Sequence, residues 1–174
     1  KDVVADLASH ETVRFSDGVS QYFYPYPYWV RANVGRHILT GNVQQVMLPW
    51  PSSLTIAESS TALITPQVST TEQASHFTSG FQLNPTALPD FAAAAKQSFV
   101  LAAAVEEVPA EEGQPNGRWV VVANDGFLDN SVLDQYPQNL VLILNAIDWL
   151  TQNDALVSIR SKQSQPAALI WESK

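Results

Sequence analysis

Asn124 and Asp125 are the residues that the sequence places best for chemistry. They follow an apolar run, Trp119–Ala123, that is rich in β-branched residues and is closed by Asn-Asp-Gly. This pattern predicts a strand buried on both faces, as in a parallel sheet. Open α/β sheets bind ligands at the carboxyl ends of their strands, so Asp125 could hold a sugar hydroxyl, a metal ion or a basic group of a partner. The alternative is that both side chains bond the backbone of their own loop in an Asx-turn.

Other metal-ligating residue types are present without a metal-site pattern. Asp129 and Asp134 lie near Asp125 in sequence, but their spacing lacks the alternation and terminal glutamate of a calcium loop. The three histidines are far apart in the chain: His10, His37 and His76. They predict no metal site by spacing, although ligands can converge in space. His37, after Gly35 and Arg36, is expected to cap or pack at the start of a turn.

Covalent catalysis also lacks its usual residues. The chain contains no cysteine, which removes thiol nucleophiles and thiolate metal ligands. A serine nucleophile on an α/β scaffold would need a Gly-x-Ser-x-Gly turn, and Ser79-Gly80 lacks the first glycine. We therefore predict no catalytic residues, no metal and no cofactor. A hydrolase is the least favoured hypothesis, since it would require a serine, a histidine and an aspartate brought together by folding.

An aromatic stretch, Gln21–Val30, offers a different kind of binding surface. Exposed rings could stack on sugars or seat a protein partner. Alternatively, the rings pack one face onto the core and leave their hydroxyls in water. The residues on which the binding hypothesis depends are Tyr24, Tyr26, Tyr28 and Trp50. Pro25 and Pro27 exclude a helix and a central strand, so this stretch is predicted to be an extended edge or loop.

A long helix is predicted after Pro137, with Asn139 as its N-cap. Its apolar residues repeat at intervals of three and four: Leu140, Ile143, Leu144, Ile147 and Leu150. The rings of Trp119 and Trp149 are expected in the core. A strand, a loop and a buried helix predict an α/β layer structure. Further short elements are predicted, namely strands at Asp2–Asp6, Glu11–Phe15, Val43–Leu48, Ser53–Ile56, Ala62–Thr65, Ser98–Val105 and Leu156–Ile159, one helical turn at His37–Thr40 and a short helix near Thr71–His76.

Composition bounds the classes of function. A length of 174 residues fits a single domain with a sizeable core. The net charge of −8 argues against nucleic acid and against attachment to anionic lipid by charge. No apolar run approaches the roughly 20 residues of a membrane helix. The abrupt start at Val3–Ala5 suggests a piece of a longer chain. The apolar segment Ala167–Trp171 needs a partner surface, so a homodimer is one expectation.

The order of several motifs resembles the gliding-motility-type ABC-transporter auxiliary components, the GldG-like family. The similarity is strongest at Val120–Arg160, where a strand ending in Asp125 precedes Phe-Leu-Asp-Asn, then Asn-Ala-Ile-Asp-Trp-Leu and a closing Ile-Arg. Earlier counterparts are the Tyr-Pro-Tyr-Trp stretch, His-Ile-Leu-Thr and Val46–Leu54. The likeness is weakest over Thr65–Gly117. None of these motifs is a catalytic pattern.

The resemblance implies one α/β domain over residues 1–174, with a mixed, mostly parallel sheet in two or three layers. It would resemble part of a class I glutamine-amidotransferase-like or flavodoxin-like fold. The resemblance also implies a periplasmic or extracytoplasmic location, with membrane helices on other parts of the parent chain. Its partners would be the membrane and ATPase subunits of an ABC-type complex. We expect a non-catalytic auxiliary domain that binds a protein partner or a ligand, and the alternative is a carbohydrate- or small-molecule-binding module.

Overall fold

The chain folds mainly into β-strands, as seen in a computed structural model that describes residues 2–16, 18–109, 111 and 116–151. The strands are β1 (Val3–Asp6), β2 (His10–Ser16), β3 (Gln21–Val34), β4 (Gln45–Pro49), β5 (Ala62–Ser69), β6 (Ala74–Phe77), β7 (Val100–Glu107) and β8 (Arg118–Val122). The helices are α1 (Asn130–Gln135) and α2 (Pro137–Leu150), with 3₁₀ turns at Ile38–Thr40 and Gly126–Leu128.

The sheets are antiparallel, which overturns the predicted mixed, mostly parallel sheet. Five strands follow the order β2-β3-β5-β7-β8, β4 pairs with β3, and β1 and β6 form a separate pair. Every pairing between described strands is antiparallel. The resemblance to amidotransferase-like or flavodoxin-like architecture was therefore wrong. A physical reason lies between β7 and β8, where residues 108–117 are too few for the crossover helix that a parallel pair needs.

Strand β8 is also not buried on both faces. It pairs only with β7 among the described strands, so it forms an edge of the sheet. Val120 and Val122 pack toward the core, whereas Trp119 is 50% exposed and Val121 is 44% exposed. The prediction that the Trp119 ring lies in the core was wrong. Inward and outward positions alternate along β8, but the outward residues Trp119 and Val121 are apolar as well. The sequence therefore shows four consecutive apolar residues, and the alternation is not visible in it.

Helix α2 exists as predicted, but it begins earlier and turns another face inward. Its N-cap is Tyr136 and Pro137 occupies the first turn, so Asn139 is not the cap. The buried positions are Asn139, Leu142, Asn145, Ala146 and Trp149. Trp149 is 3% exposed, which confirms its predicted place in the core. Arg118 holds this end of the helix, since its guanidinium lies 4.9 Å from the Trp149 ring centroid and donates to the Trp149 carbonyl at 2.9 Å.

Two buried asparagines attach α2 to the rest of the fold. The Asn139 amide donates to the carbonyl of Met47 at 2.7 Å, and its oxygen accepts from the Met47 N–H at 3.0 Å. The same amide also donates to Phe127 at 3.2 Å. Asn145 donates to the carbonyl of Leu39 at 3.0 Å. The Asn139 side chain thus takes the place of a neighbouring strand along the free edge of β4.

Most of the short elements predicted from the sequence are present in the fold. The strands predicted at Asp2–Asp6 and Val43–Leu48 are present as β1 and β4. His37 caps the first 3₁₀ turn, because its Nδ1 accepts from the Leu39 N–H at 3.3 Å. The predicted helix near Thr71–His76 was wrong, since β6 lies there. The predicted strand at Ser53–Ile56 is reduced to one bridge between Leu54 and Val100.

The predicted strand at Leu156–Ile159 and the apolar segment Ala167–Trp171 lie outside the described residues. Among the helices of the described part of the chain, none has the length and apolar character required to cross a membrane.

Candidate binding site at the end of β8

A pocket of about 500 Å³ opens where the segment after β8 meets the turn after β4 and the start of the chain. Its lining consists of Asp2, Val3, Trp50, Ser52, Phe81, Leu83, Ala123, Asn124 and Asp125. Three of the residues singled out from sequence, Trp50, Asn124 and Asp125, therefore share one pocket. The two loops are tied together by the Ser52 N–H, which donates to the Ala123 carbonyl at 2.9 Å.

Trp50 forms one wall of the pocket in an unusual backbone conformation. Its φ angle is +52°, in the left-handed region that costs a residue with a side chain about 1–2 kcal/mol. The surrounding structure stabilises this conformation, since the Trp50 N–H donates to the Tyr28 carbonyl at 2.7 Å. The ring packs edge-on against Trp29 with centroids 5.6 Å apart, yet the residue remains 45% exposed. Strain of this kind often accompanies binding sites.

Tyr26 does not line the pocket, but it holds two residues that do, Leu83 and Trp50, through hydrogen bonds. Its hydroxyl donates to the Leu83 carbonyl at 2.5 Å and accepts from the Trp50 indole N–H at 2.9 Å. A protonated phenol can donate one hydrogen bond and accept another, and burial raises the pKa of Tyr26 above its ordinary value. Tyr26 and Tyr28 are 2% and 0% exposed, and Tyr24 is half-buried with its ring 6.4 Å from Tyr22. None of these three tyrosines lines the pocket.

Asn124 and Asp125 have different roles at the end of β8. The Asn124 amide donates to the Pro49 carbonyl, so it connects β8 to β4 across the sheet. Its side-chain oxygen is buried and has no hydrogen-bond partner within the described residues. Asp125 is exposed and precedes the second 3₁₀ turn without a side-chain capping bond. The Asp125 carboxylate thus lies at the pocket mouth and is available to bind another group.

Asp2 contributes a second carboxylate to the lining, but it is engaged within the protein. It accepts from the Ser53 hydroxyl at 2.7 Å and from the Ser53 N–H at 3.1 Å, and it lies 3.2 Å from His76 Nδ1. Burial opposes ionisation of Asp2, yet the bonds with Ser53 and His76 outweigh it and keep the pKa of Asp2 below its usual value. Since Asp2 lies between Ser53 and His76, the serine hydroxyl is bound to a carboxylate and is not activated by an imidazole.

The chemistry of the lining favours a cationic or hydroxyl-rich group with an apolar face. Two carboxylates, Asp2 and Asp125, line the pocket, whereas no lysine or arginine of the described chain does so. The Trp50 indole and the Phe81 ring supply flat apolar surface, which suits cations and sugars. The three histidines remain apart, and the described residues contain no cluster of three metal-ligating side chains.

Sequence reasoning missed part of the lining. Phe81 and Leu83 lie in an irregular, polar stretch where no binding residue was predicted, and Asp2 was predicted only as the first residue of a strand, Asp2–Asp6. The available signal was the presence of two large apolar residues in a segment rich in Ser, Thr and Gln. Phe81 is 47% exposed and Leu83 is 40% exposed, as expected for residues at the rim of a pocket.

A second pocket of about 370 Å³ lies beside the N-terminal end of α2. Its lining residues are Arg31, Gln44, Gln45, Val46, Met47, Gln135, Tyr136, Pro137 and Gln138. The Arg31 Nε lies 2.5 Å from the carboxylate of Glu11. Burial and a hydrogen bond with Glu11 raise the pKa of Tyr136 to about 12. Because Glu11 already engages both residues, this pocket is a weaker candidate than the one at Trp50 and Asp125.

Comparison with known proteins gives the family. No curated protein and no solved structure matches the chain. A family described as an ABC-type uncharacterized transport system matches residues 1–146, which confirms the resemblance to an ABC-transporter auxiliary component. Its description does not mention gliding motility. Since the match covers most of the 174 residues, the chain belongs to this family of ABC-type transport auxiliary components.

Proposed function

We propose that this chain is a non-catalytic auxiliary domain that acts by binding, with the pocket between Trp50 and Asp125 as its site. The observation that carries the proposal is the convergence of an exposed carboxylate and a strained, half-exposed indole on one pocket. Family membership supplies the context of an ABC-type transport system. We further propose that the domain lies outside the cytoplasmic membrane and that gliding-motility systems are the first such context to test.

The favoured ligand is a basic group on a protein partner, such as a lysine or arginine side chain of a membrane subunit. A cation can contact the Trp50 ring and pair with the Asp125 carboxylate at the same time, and each contact strengthens when water is excluded. Asp2 adds negative charge deeper in the pocket, because its pKa stays below the usual value. The net charge of −8 would also steer a basic partner toward the domain.

A second candidate function is binding of a carbohydrate or another small molecule. It is favoured by the size of the pocket, about 500 Å³, which lies within the range of small-molecule sites. The Trp50 indole could stack on a sugar ring while Asp125 accepts from its hydroxyls. The arrangement of Ser53, Asp2 and His76 gives no comparable support to a hydrolase, since the carboxylate stands between the other two residues.

Thermal-shift screening of the purified chain tests both functions. The panel contains sugars, lysine- or arginine-rich peptides and divalent cations. A ligand at a hundred times its Kd stabilises the folded state by about 2.7 kcal/mol, which raises Tm by roughly 5–10 °C for a domain of this size. We expect Trp50→Ala and Asp125→Asn to abolish the shift.

Matched controls exist for both substitutions. Trp119→Ala removes an indole of similar exposure on another surface, and Asp134→Asn removes an exposed carboxylate of α1. Both controls should keep the full shift. A ligand whose shift survives in Trp50→Ala and Asp125→Asn would move the site elsewhere. The absence of any shift across the panel would remove the small-molecule function.

A further inference from the structure

Strands β2 and β3 extend beyond the core as a two-stranded ribbon. We call residues 12–16 and 18–25 the distal ribbon, and each of them is exposed or half-buried, whereas residues 26–28 are buried. This part of β3 pairs only with β2 among the described strands. The strand from Gln21 to Pro25 is about 13 Å long. The distal ribbon therefore projects from the fold by roughly that distance.

The distal ribbon carries large apolar side chains on both faces and in its turn. Residues that lie directly opposite each other in paired strands share a face, and successive residues alternate between faces. Phe15 lies opposite Tyr22 on one face, whereas Phe23 lies opposite Arg14 on the other. Phe15 is 52% exposed, Tyr22 42%, Phe23 65% and Val19, in the turn, 94%. So much exposed apolar surface in one short segment marks an interaction site.

The distribution of these side chains selects the kind of partner. A groove on a folded protein, or a second copy that adds a strand to the outer edge of β2, would cover one face or one edge of the ribbon. The remaining rings would then stay in water. The boundary between lipid head groups and acyl chains instead surrounds an inserted tip on all sides. Aromatic rings, including those that carry a hydroxyl, are favoured at this depth of a bilayer.

The ribbon also has the length and polarity that interfacial insertion requires. Interfacial segments typically lie about 5–10 Å deep, so a ribbon of about 13 Å can insert while the core remains in water. The outward backbone groups of β2 need hydrogen bonds from water, which the head-group region supplies and the hydrocarbon does not. Arg14 is the only charged residue among the described residues of the distal ribbon, and its long side chain can reach the head groups.

We propose that the tip of the distal ribbon inserts into the interface of a lipid bilayer. The side chains that enter the boundary region are Phe15, Val19, Tyr22 and Phe23. The attraction is hydrophobic and not ionic, because the net charge of −8 opposes an anionic surface. We therefore expect a preference for lipids without net charge, such as phosphatidylcholine. No residue of the distal ribbon lines the pocket at the end of β8, so the proposal does not depend on the function assigned to that pocket.

Flotation of the 174-residue chain with phosphatidylcholine vesicles measures this binding. Each exposed phenyl ring removes on the order of 100 Å² of apolar surface from water on insertion, so Phe15→Ser and Phe23→Ser should each lower the partition coefficient at least about tenfold. Trp119→Ser and Leu63→Ser are the matched controls, since these side chains are 50% and 62% exposed on other strands. Both controls should bind as the parent does. Circular dichroism verifies that every variant is folded, and replacing part of the lipid by phosphatidylglycerol should weaken binding.

A fluorescent label identifies the inserted segment. Because the chain has no cysteine, Val19→Cys places a single thiol at the tip for an environment-sensitive label, and Leu63→Cys places one on β5. Vesicles should shift the emission of the first label to the blue and leave the second unchanged.

Three results would overturn the proposal. The first is a parent chain that does not float with phosphatidylcholine vesicles, or that floats only with anionic lipid. The second is equal partition of the parent, Phe15→Ser and Phe23→Ser. The third is a blue-shifted emission of the label at Val19→Cys that is present without vesicles and is lost on dilution, which would indicate a second copy on the ribbon.

Discussion

Replacement of Asn139 by alanine should destabilise the fold more than any change at the neighbouring exposed positions of α2. Asn139 is completely buried. Its side chain satisfies the N–H and the carbonyl of Met47 and the carbonyl of Phe127. Alanine would leave these three backbone groups without their present partners at a buried position.

The size of the effect follows from those three groups. An unsatisfied buried backbone group costs about 1–3 kcal/mol, so partial relaxation still leaves a loss of roughly 3–5 kcal/mol. Domains of ordinary stability unfold with about 5–15 kcal/mol, so the loss is a large share of the total. Gln138→Ala is the matched control. Its side-chain oxygen also accepts two backbone N–H groups, those of Gln44 at 2.7 Å and Gln45 at 3.2 Å.

Water can replace the Gln138 bonds because Gln44 is exposed. The control should therefore lose only about 0.5–1.5 kcal/mol. Urea unfolding followed by circular dichroism measures both variants, and the slope of the free energy against urea should stay constant. The reasoning would be refuted if Asn139→Ala lost no more stability than Gln138→Ala. In that case the contact with Met47 would not replace a neighbouring strand.

Three further predictions concern backbone strain and ionisation. Trp50→Gly should be more stable than Trp50→Ala by roughly 0.5–1 kcal/mol in urea unfolding. Glycine adopts the left-handed φ without strain, and this gain exceeds the entropic cost of fixing a glycine. A more stable alanine variant would argue against backbone strain at this position. The pKa of Asp2 in the folded chain lies below its ordinary value of 3.8. The stabilisation that ionised Asp2 provides is therefore present at neutral pH and should be lost as the pH falls below that value, so Asp2→Asn should show a weaker loss of Tm in acid. The pKa of Tyr136 is about 12 in the folded chain against an ordinary value of 10.0, so the stabilisation that protonated Tyr136 provides should be lost as the pH rises from 10 to 12. A titration followed by tyrosinate absorbance should show this late ionisation, and Glu11→Gln should lower the pKa of Tyr136. An unchanged titration in that variant would exclude the hydrogen bond between Tyr136 and Glu11.

The sequence revealed most strands but not how they are paired. Val43–Leu48 was recognisable because apolar β-branched residues are bounded by turn residues. The run Trp119–Ala123 has the same appearance whether it lies within a parallel sheet or at an antiparallel edge. Only the short connection to β7 distinguishes the two, and that comparison requires the end of β7 to be known. Local pattern therefore predicted the strand and not its neighbours.

The orientation of α2 was not predictable from hydrophobicity. Apolar residues occur around most of the helix, so its periodicity does not select one face. The inward face is selected instead by Asn139 and Asn145, whose amides bond backbone groups more than ninety positions away in sequence. Such bonds depend on tertiary neighbours, and isolated asparagines in a helix would ordinarily be placed in solvent.

The candidate site was predictable in its residue types but not in its assembly. Turn chemistry after an apolar run drew attention to Asp125, and exposed aromatic character drew attention to Trp50. Their shared pocket depends on the adjacency of the ends of β4 and β8, which follows from the bond between Asn124 and Pro49. Phe81 joins them from a segment without any regular pattern. Proximity of this kind is not encoded in local spacing.

The central claim is that the Trp50–Asp125 pocket mediates binding to an ABC-type transport system. The most direct test immobilises the chain and exposes it to detergent-solubilised membranes that contain such a system. Asp125→Lys reverses the charge at the pocket mouth, and Asp134→Lys makes the same change on α1. We predict that the membrane and ATPase subunits are retained by the parent chain and by Asp134→Lys, but are lost from Asp125→Lys. Equal retention by Asp125→Lys, or retention of no transporter subunit by the parent chain, would contradict the claim.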